Sequence, residues 1–467
     1  MIGEKSLTSE VVGFTLKTGY EAIPEQALGI ARRCIVDGTG LMVAGSTEES
    51  GKIIHAYLRE LGGAPEATVL GAGLSAPAHL AALANGVAGH AMDYDDTQLS
   101  SYPDRVYGLL THPTVPVLAA ALAVGEDLGA SGRELLAAFC VGFEVECKVA
   151  ETIRPEHYTR GFHSTGTLGV FGAVTAAAKL MELDEAHLRA ALGIAASESA
   201  GVRANFGTMT KPYHCGRAAE NGVVAARLAA KGFTADPDIL DGPWGFFQVA
   251  GGGCDPDHLR GKLGEPWSIV TPGVSIKPHP CGSCAHPAMD ALRELIIEND
   301  LKVEDVERVR LGTNRRVLEA FRYPEPKTEL EAKFSIPFCL GILLLERRAG
   351  IAQFKDEVVL SAPVREVMKK VEGYLDPEID ARGYELIRGR LEVRLRDGRI
   401  LYREAELSRG TPQRPMSREE LFEKFAECAG LVLDPGRVKA VEEAIYALDE
   451  MENVNALIEM LAGVKAR

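Results

Sequence analysis

The chain has 467 residues, 46% of them hydrophobic and 25% charged, with a formal net charge of −15. That is enough chain for two domains and a large core, with the balance of a soluble globular protein. The acidic balance excludes nucleic acid as a main partner, since phosphate binding needs a cationic face; no stretch reaches the ~18 uninterrupted apolar residues of a membrane-spanning helix.

Nine scattered cysteines, an odd number, fit a reducing compartment, and residues 1–10 contain no apolar signal core. A cytoplasmic protein is expected. In chain order, residues 1–268 read as mostly helical. Pro24 opens a helix over 24–43, and Pro77 opens one over 77–91 built from small residues. Further helices are expected at 116–128, 133–153 and 164–181, with Asp184 capping 185–196. Another spans 217–231, with Gly232 placed to end it. Helices made of Ala and Gly bury little area each, so they need many neighbours.

The pattern changes after Gly251-Gly252-Gly253. Residues 306–311 alternate like a strand, and Leu391, Val393 and Leu395 alternate with charged residues. Asp397-Gly398 then forms a tight turn into a strand over 400–407. Helices intervene at 285–298 and 362–372, and helix returns at 418–428 and 437–461. The expected fold class is mainly α with an α+β second domain: a helical domain over 1–268 and 405–467, and an inserted α+β module over 269–404.

The run Gly89-His-Ala-Met-Asp93-Tyr-Asp95-Asp96-Thr97 brings three carboxylates and a hydroxyl to the end of an apolar helix. Carboxylates near a core are costly unless paired, hydrogen-bonded or used. Asp95 or Asp96 also suits a plain capping role for the next segment. Three more regions are rich in His, Lys and small residues: Tyr158 to His163, Lys211 to His214, and Lys277 to His286. His163 and Lys211 each sit in a polar loop that opens an apolar helix, and free amides there favour anions. Such loops, converging with Thr111-His112-Pro113, make a pocket for a carboxylate-rich ligand within an acidic protein.

Each residue has a plainer reading. A lone histidine beside an apolar helix is more often structural. Lys211 has a salt bridge to one of the aspartates as its structural alternative. Arg105 lies in the polar loop 100–107, either solvated or folded over a site. The Asp93-x-Asp95-Asp96 spacing is that of terpene-cyclase acid sites, but those need aromatic walls, and the chain has two tryptophans. His279, Cys281, Cys284 and His286 are too closely spaced for a zinc finger, and no second Cys-x-x-Cys exists. With no Walker sequence and no Gly-x-Gly-x-x-Gly, neither metal nor cofactor is expected.

Together these regions resemble the MmgE/PrpD family of 2-methylcitrate dehydratases, cis-aconitate decarboxylases and iminodisuccinate epimerases. The matching stretches are 89–97, 111–116, 161–169, 205–222, 276–286 and the Glu-Ala-Lys-Phe-Ser-Ile run at 331–336. The resemblance implies a helical domain completed by the C-terminal helices, an inserted α+β lid, a homodimer and no cofactor. It also implies an active site between the domains. The implied catalytic residues are His163, Lys211, Asp93, His112 and, from the epimerase-like pattern, Tyr158. Thr97, Lys277 and Arg105 are the substrate-contact candidates. The decarboxylases carry a histidine shortly after the lysine matching Lys277; here Cys281-Gly282 occupies that place, which points away from decarboxylation.

The three family chemistries all pass through negative charge at a carbon next to a carboxylate. Each needs a cation aimed at that charge and a positioned acid or base. Lys211 and Lys277 are expected to bind carboxylates, and His163 or His112 to act as base. Tyr158 or the other histidine is expected to be the acid, with Asp93 orienting a partner and Thr97 touching a carboxylate or the leaving hydroxyl. The expected function is a cofactor-independent dehydratase of a small citrate-like polycarboxylate. The alternatives are an epimerase of a substituted succinate, a decarboxylase of the cis-aconitate type and a non-catalytic carboxylate-binding protein.

Overall fold

Helix starts follow local chemistry. The computed structural model describes residues 5–98, 111–383 and 386–463. Its N-terminal part comprises α1 (Leu7–Lys17), α2 (Glu25–Gly45), α3 (Glu49–Leu61), α4 (Ala78–His90), α5 (Thr114–Leu128), α6 (Gly132–Thr152), α7 (Ser164–Leu180), α8 (Glu185–Ser197) and α9 (Thr210–Ala229). Pro24 and Pro77 stand immediately before α2 and α4, where a missing amide costs nothing. Ser131 and Glu134 exchange bonds as a capping box on α6, and Asp184 accepts from His187 N to cap α8. The expected start of the helix at 217 is corrected: α9 begins at Thr210, so Lys211 sits in its first turn and not in a preceding loop.

Small residues let these helices approach closely. A Cβ placed on Gly86 of α4 would stand 2.7 Å from Gly216 Cα of α9, and one on Gly216 would stand 2.5 Å from the Leu83 carbonyl. Only glycine permits this crossing, and the crossing brings the start of α9 beside the end of α4. Among the described residues, no helix is long and apolar enough to cross a membrane.

Among the described residues there are two large apolar cores. The first runs from Leu7 to Ile276 and resumes at Met416, drawing in Leu421, Phe425, Val441 and Leu457. These come from three helices in the C-terminal part of the chain, Arg418–Ala429, Pro435–Tyr446 and Asn455–Leu461. The second core lies wholly between Cys281 and Ala405. It contains α10 (His286–Asn299), α11 (Ile336–Glu346) and α12 (Ala362–Met368), packed with strands β5 (Val306–Thr313), β6 (Val371–Leu375), β7 (Gly389–Leu395) and β8 (Ile400–Ala405). The sheet order is β6-β5-β7-β8, parallel between β5 and β6 and antiparallel elsewhere. Gly398, at φ 91°, turns β7 into β8 as the Asp-Gly pair demands.

Two local expectations are corrected. The helix expected over 362–372 stops at Met368, and β6 follows, because Val371–Leu375 pairs with β5 at the sheet edge. The helix expected over 437–461 is two, α14 (Pro435–Tyr446) and α15 (Asn455–Leu461), after α13 (Arg418–Ala429). A single 3-10 turn, Leu448–Glu450, separates them. Two short pairings complete the fold. One joins β1 (Ala67–Val69) to β2 (Leu74–Ala76). The other joins β3 (Thr97–Gln98) to β4 (Val274–Ser275), which puts the segment after α4 beside the segment leading to Lys277.

Candidate active site

The segment leaving α4 is held from outside by three lysines. Lys333 Nζ donates to the Met92 carbonyl at 3.0 Å, Lys277 Nζ to Asp93 at 2.8 Å, and Lys424 Nζ to Tyr94 at 2.9 Å. All three lysines are buried. They come from distant parts of the chain, and together they satisfy three consecutive carbonyls that no regular structure pairs. Asp93 takes φ 51°, a left-handed conformation uncommon outside glycine.

The Asp93 side chain accepts directly from Lys211 Nζ, and Lys277 Nζ lies 3.3 Å from the same oxygen. Burial would push the Asp93 carboxyl up, but the two ammonium groups hold it well below the ordinary carboxylate range. Burial pulls Lys211 down, and Asp93 opposes that pull. The remaining Asp93 oxygen, Oδ2, has no hydrogen-bond partner.

Asp95 lies between two imidazoles. It is 2.7 Å from His90 Nδ1 and 3.3 Å from His112 Nδ1. Burial pushes His90 down to about 3 against the attraction of Asp95, so His90 is neutral. Burial also lowers His112. Asp96 turns the other way and caps α5, accepting from Thr114 N at 3.3 Å and Thr114 Oγ1 at 2.5 Å. Burial raises the Asp96 carboxyl to about 7.

Six of the expected residues surround one pocket of about 430 Å³: Asp93, Thr97, His112, Tyr158, Lys211 and Lys277. Aromatic rings of Phe206, Phe321 and Phe334 form its apolar wall, and Gly282, Ser283 and Cys284 complete it. Thr97 Oγ1 lies 3.2 Å from Ser283 Oγ. Tyr158 is buried, which raises its phenol above the ordinary value despite the nearby Arg203 and Arg316.

His163 does not line this pocket. Its ring stands 5.0 Å from that of Phe206, edge-on, with Nδ1 3.0 Å from His214 Nδ1. Burial drives it well below the ordinary histidine value, and its Nε2 has no partner. Arg105 lies outside the described residues. The expectations did not include Lys333, Lys424, Arg203 or Arg316. Lys333 carried a signal, being a lone cation in the run Glu-Ala-Lys-Phe-Ser-Ile; Lys424 reads as an ordinary surface lysine.

His90, Asp93 and His112 offer donor atoms within 4.8 Å of one another, the one such group among the described residues. Asp93 already faces two ammonium groups, and His90 is engaged by Asp95. In the run 279–286 the rings of His279 and His286 stand edge to face at 5.8 Å, and two side chains have partners outside the run. Cys281 Sγ contacts Met289 Sδ at 3.6 Å, and His279 Nδ1 bonds the Ala349 carbonyl at 3.0 Å.

The arrangement is a buried, cation-rich pocket with an imidazole on its wall and an apolar lining. The family model described as the MmgE/PrpD N-terminal domain matches residues 9–259, and that described as the C-terminal domain matches 279–450. The chain is 28% identical to a cis-aconitate decarboxylase of Homo sapiens over 459 residues, covering 96% of this chain and 92% of the relative. It is 27% identical to a cis-aconitate decarboxylase of Mus musculus, covering 98% and 94%. It is 26% identical to one of Aspergillus terreus, covering 98% and 96%.

Proposed function

Because the chain belongs to the MmgE/PrpD family, we propose that it is a cofactor-independent lyase, a dehydratase of a small citrate-like polycarboxylate. The observation that carries this reading is the placement of two buried ammonium groups, Lys211 and Lys277, on one wall of a pocket that also presents His112. Cations held in a dry, preformed site stabilise charge far better than they do in water.

The steps follow from the neighbours of each group. A substrate carboxylate binds against Lys211 and Lys277. His112 faces the Asp95 carboxylate through Nδ1 at 3.3 Å, which favours the proton there and leaves Nε2 as acceptor. That nitrogen takes the proton from the carbon next to the bound carboxylate. The electron pair passes into the carboxylate as an enediolate, held by the lysines. It returns to form the carbon–carbon double bond as the hydroxyl departs with a proton from Tyr158, which burial keeps protonated. Thr97 contacts the leaving hydroxyl. Asp93 acts by holding both ammonium groups in place. His163, paired with His214, packs edge-on against Phe206.

Decarboxylation is the second reading, favoured by what the relatives are named. Against it stands Cys281-Gly282, at the place where the family resemblance implies a histidine for a decarboxylase. A Cβ on Gly282 would stand 2.9 Å from the Phe321 ring, so Phe321 occupies the space a side chain at 282 would need.

Proton NMR in D2O with citrate, 2-methylcitrate, cis-aconitate and substituted succinates separates the readings. Dehydration of a hydroxy acid gives a new vinyl signal without loss of carbon. Decarboxylation consumes cis-aconitate and releases CO2, and epimerisation leaves deuterium at the α-carbon with no alkene. Lys211→Ala and His112→Ala are each expected to slow the reaction by about 10²- to 10⁴-fold. Near-full turnover by both variants would overturn the assignment of roles, and no conversion of any acid despite binding would overturn the enzyme reading.

A further inference from the structure

Two cavities meet at Phe206 and Ala320. The pocket with Lys211 and Lys277 lies on one side, and a second space of about 480 Å³ lies on the other. Arg203 stands at the join, on the wall of the second space. Its guanidinium lies 3.9 Å from the centre of the Tyr158 ring and 5.9 Å from that of Phe206. Both rings line the first pocket.

This guanidinium is under-used. Nη1 donates to the Tyr158 carbonyl at 3.1 Å, while Nε is buried with no partner. Among the described residues, no carboxylate pairs with it. A partly buried cation without an anion is costly to keep, and a planar fork of donors matches a carboxylate. The backbone there is fixed, because Arg203 N donates to the Gly161 carbonyl at 2.8 Å and Val202 bridges Phe162. Two other charged residues line the second space, Glu319 and Arg322. Arg322 donates to the Ala204 and Phe206 carbonyls, and Glu319 is exposed and makes interactions of its own.

In the first pocket Lys211 and Lys277 already face Asp93, and Asp95 lies close enough to act on Lys211, so a ligand with three carboxylates has use for a further cation. We propose that Arg203 is a specificity residue, receiving a carboxylate that extends past Phe206 and Ala320, so that the site selects tricarboxylates over dicarboxylates. The inference rests on the polycarboxylate reading above and names the substrate class within it.

Tricarballylate and methylsuccinate differ by one terminal carboxylate, and neither has a hydroxyl to lose. Calorimetric titration of the full chain with each reads the preference without turnover. The unaltered protein is expected to bind tricarballylate about ten- to a hundredfold more tightly, the range of a charge-assisted bond to a carboxylate. Arg203→Gln brings the ratio to within about twofold while leaving methylsuccinate affinity unchanged. Arg203→Lys keeps the charge, loses the fork and gives an intermediate ratio, which serves if the glutamine variant does not fold. A protein with no preference, a Gln variant that weakens both ligands equally, or a Lys variant with an unchanged ratio overturns the proposal. A preference for tricarballylate in a protein that converts no polycarboxylate sinks the lyase reading and leaves the role of Arg203 standing.

Discussion

Asp93 and Asp96 are three residues apart and titrate in opposite directions. Asp93 faces two ammonium groups and stays ionised, whereas Asp96 hydrogen-bonds Thr114 and is raised to about 7, chiefly by burial and then by the neighbouring Asp37 and Asp95. The sign follows. Between the ordinary carboxyl value near 3.8 and about 7, folded Asp96 holds a proton that the unfolded chain has released. Stability from this group is therefore full below the lower value and is lost as pH rises towards 7. Asp96→Asn keeps the bond to Thr114 and removes that loss, so its melting temperature relative to the unaltered protein is expected to climb between pH 4 and 7. The full effect is of the order of a few kcal/mol; thermal melts at several pH values check it, and a constant difference between the two proteins refutes it. At this scale, much is legible in the sequence. Asp93, Lys211 and Lys277 stand out because charged groups among small apolar residues demand partners. The place of His163 is not legible, because nothing local reveals that its ring packs against Phe206 and His214.

Elements explain why the Asp93 segment holds its shape. It is neither helix nor strand, and its three carbonyls depend on lysines delivered by the strand-flanking segment after β4, by the approach to α11 and by α13. Lys424, on α13, also pairs with Asp37 of α2 at 2.6 Å, both side chains being buried. Lys424→Met would strand the Asp37 charge and is expected to destabilise the protein by about 3–5 kcal/mol. Adding Asp37→Asn should recover much of this, a coupling that a double-mutant cycle in urea reads directly. Additive losses would show that the pair is not coupled. Local periodicity reveals α2, α4 and α6 almost to their ends, because proline and capping residues mark them. It does not reveal β6, a strand of five residues with a central glycine whose pairing with β5 is tertiary. Nor does it separate α14 from α15, since apolar spacing continues through the turn between them.

At the scale of the whole molecule, the chain leaves its first core after Ile276 and returns to it at Met416. The returning helices are integral to that core. Phe425 packs so closely on α2 that a Cβ at Gly40 would stand 2.6 Å from its ring. A chain ended after Ala405 loses Leu421, Phe425, Val441, Ile445 and Leu457 from the first core. Large side chains are worth about 2–5 kcal/mol each against a total of about 5–15 kcal/mol. Such a chain is expected to lack the cooperative melt of the full protein, as circular dichroism would show; an unchanged transition would refute it. The lysine grip on residues 92–94 has a consequence in time. A ribosome delivers Asp93 first, Lys277 well after it, and Lys424 later still. Domains fold as they emerge, so the helical bundle has most of its residues well before the loop has all its donors. The nascent chain thus carries an unfinished centre until Lys424 has been added, and acid–base chemistry waits for that residue.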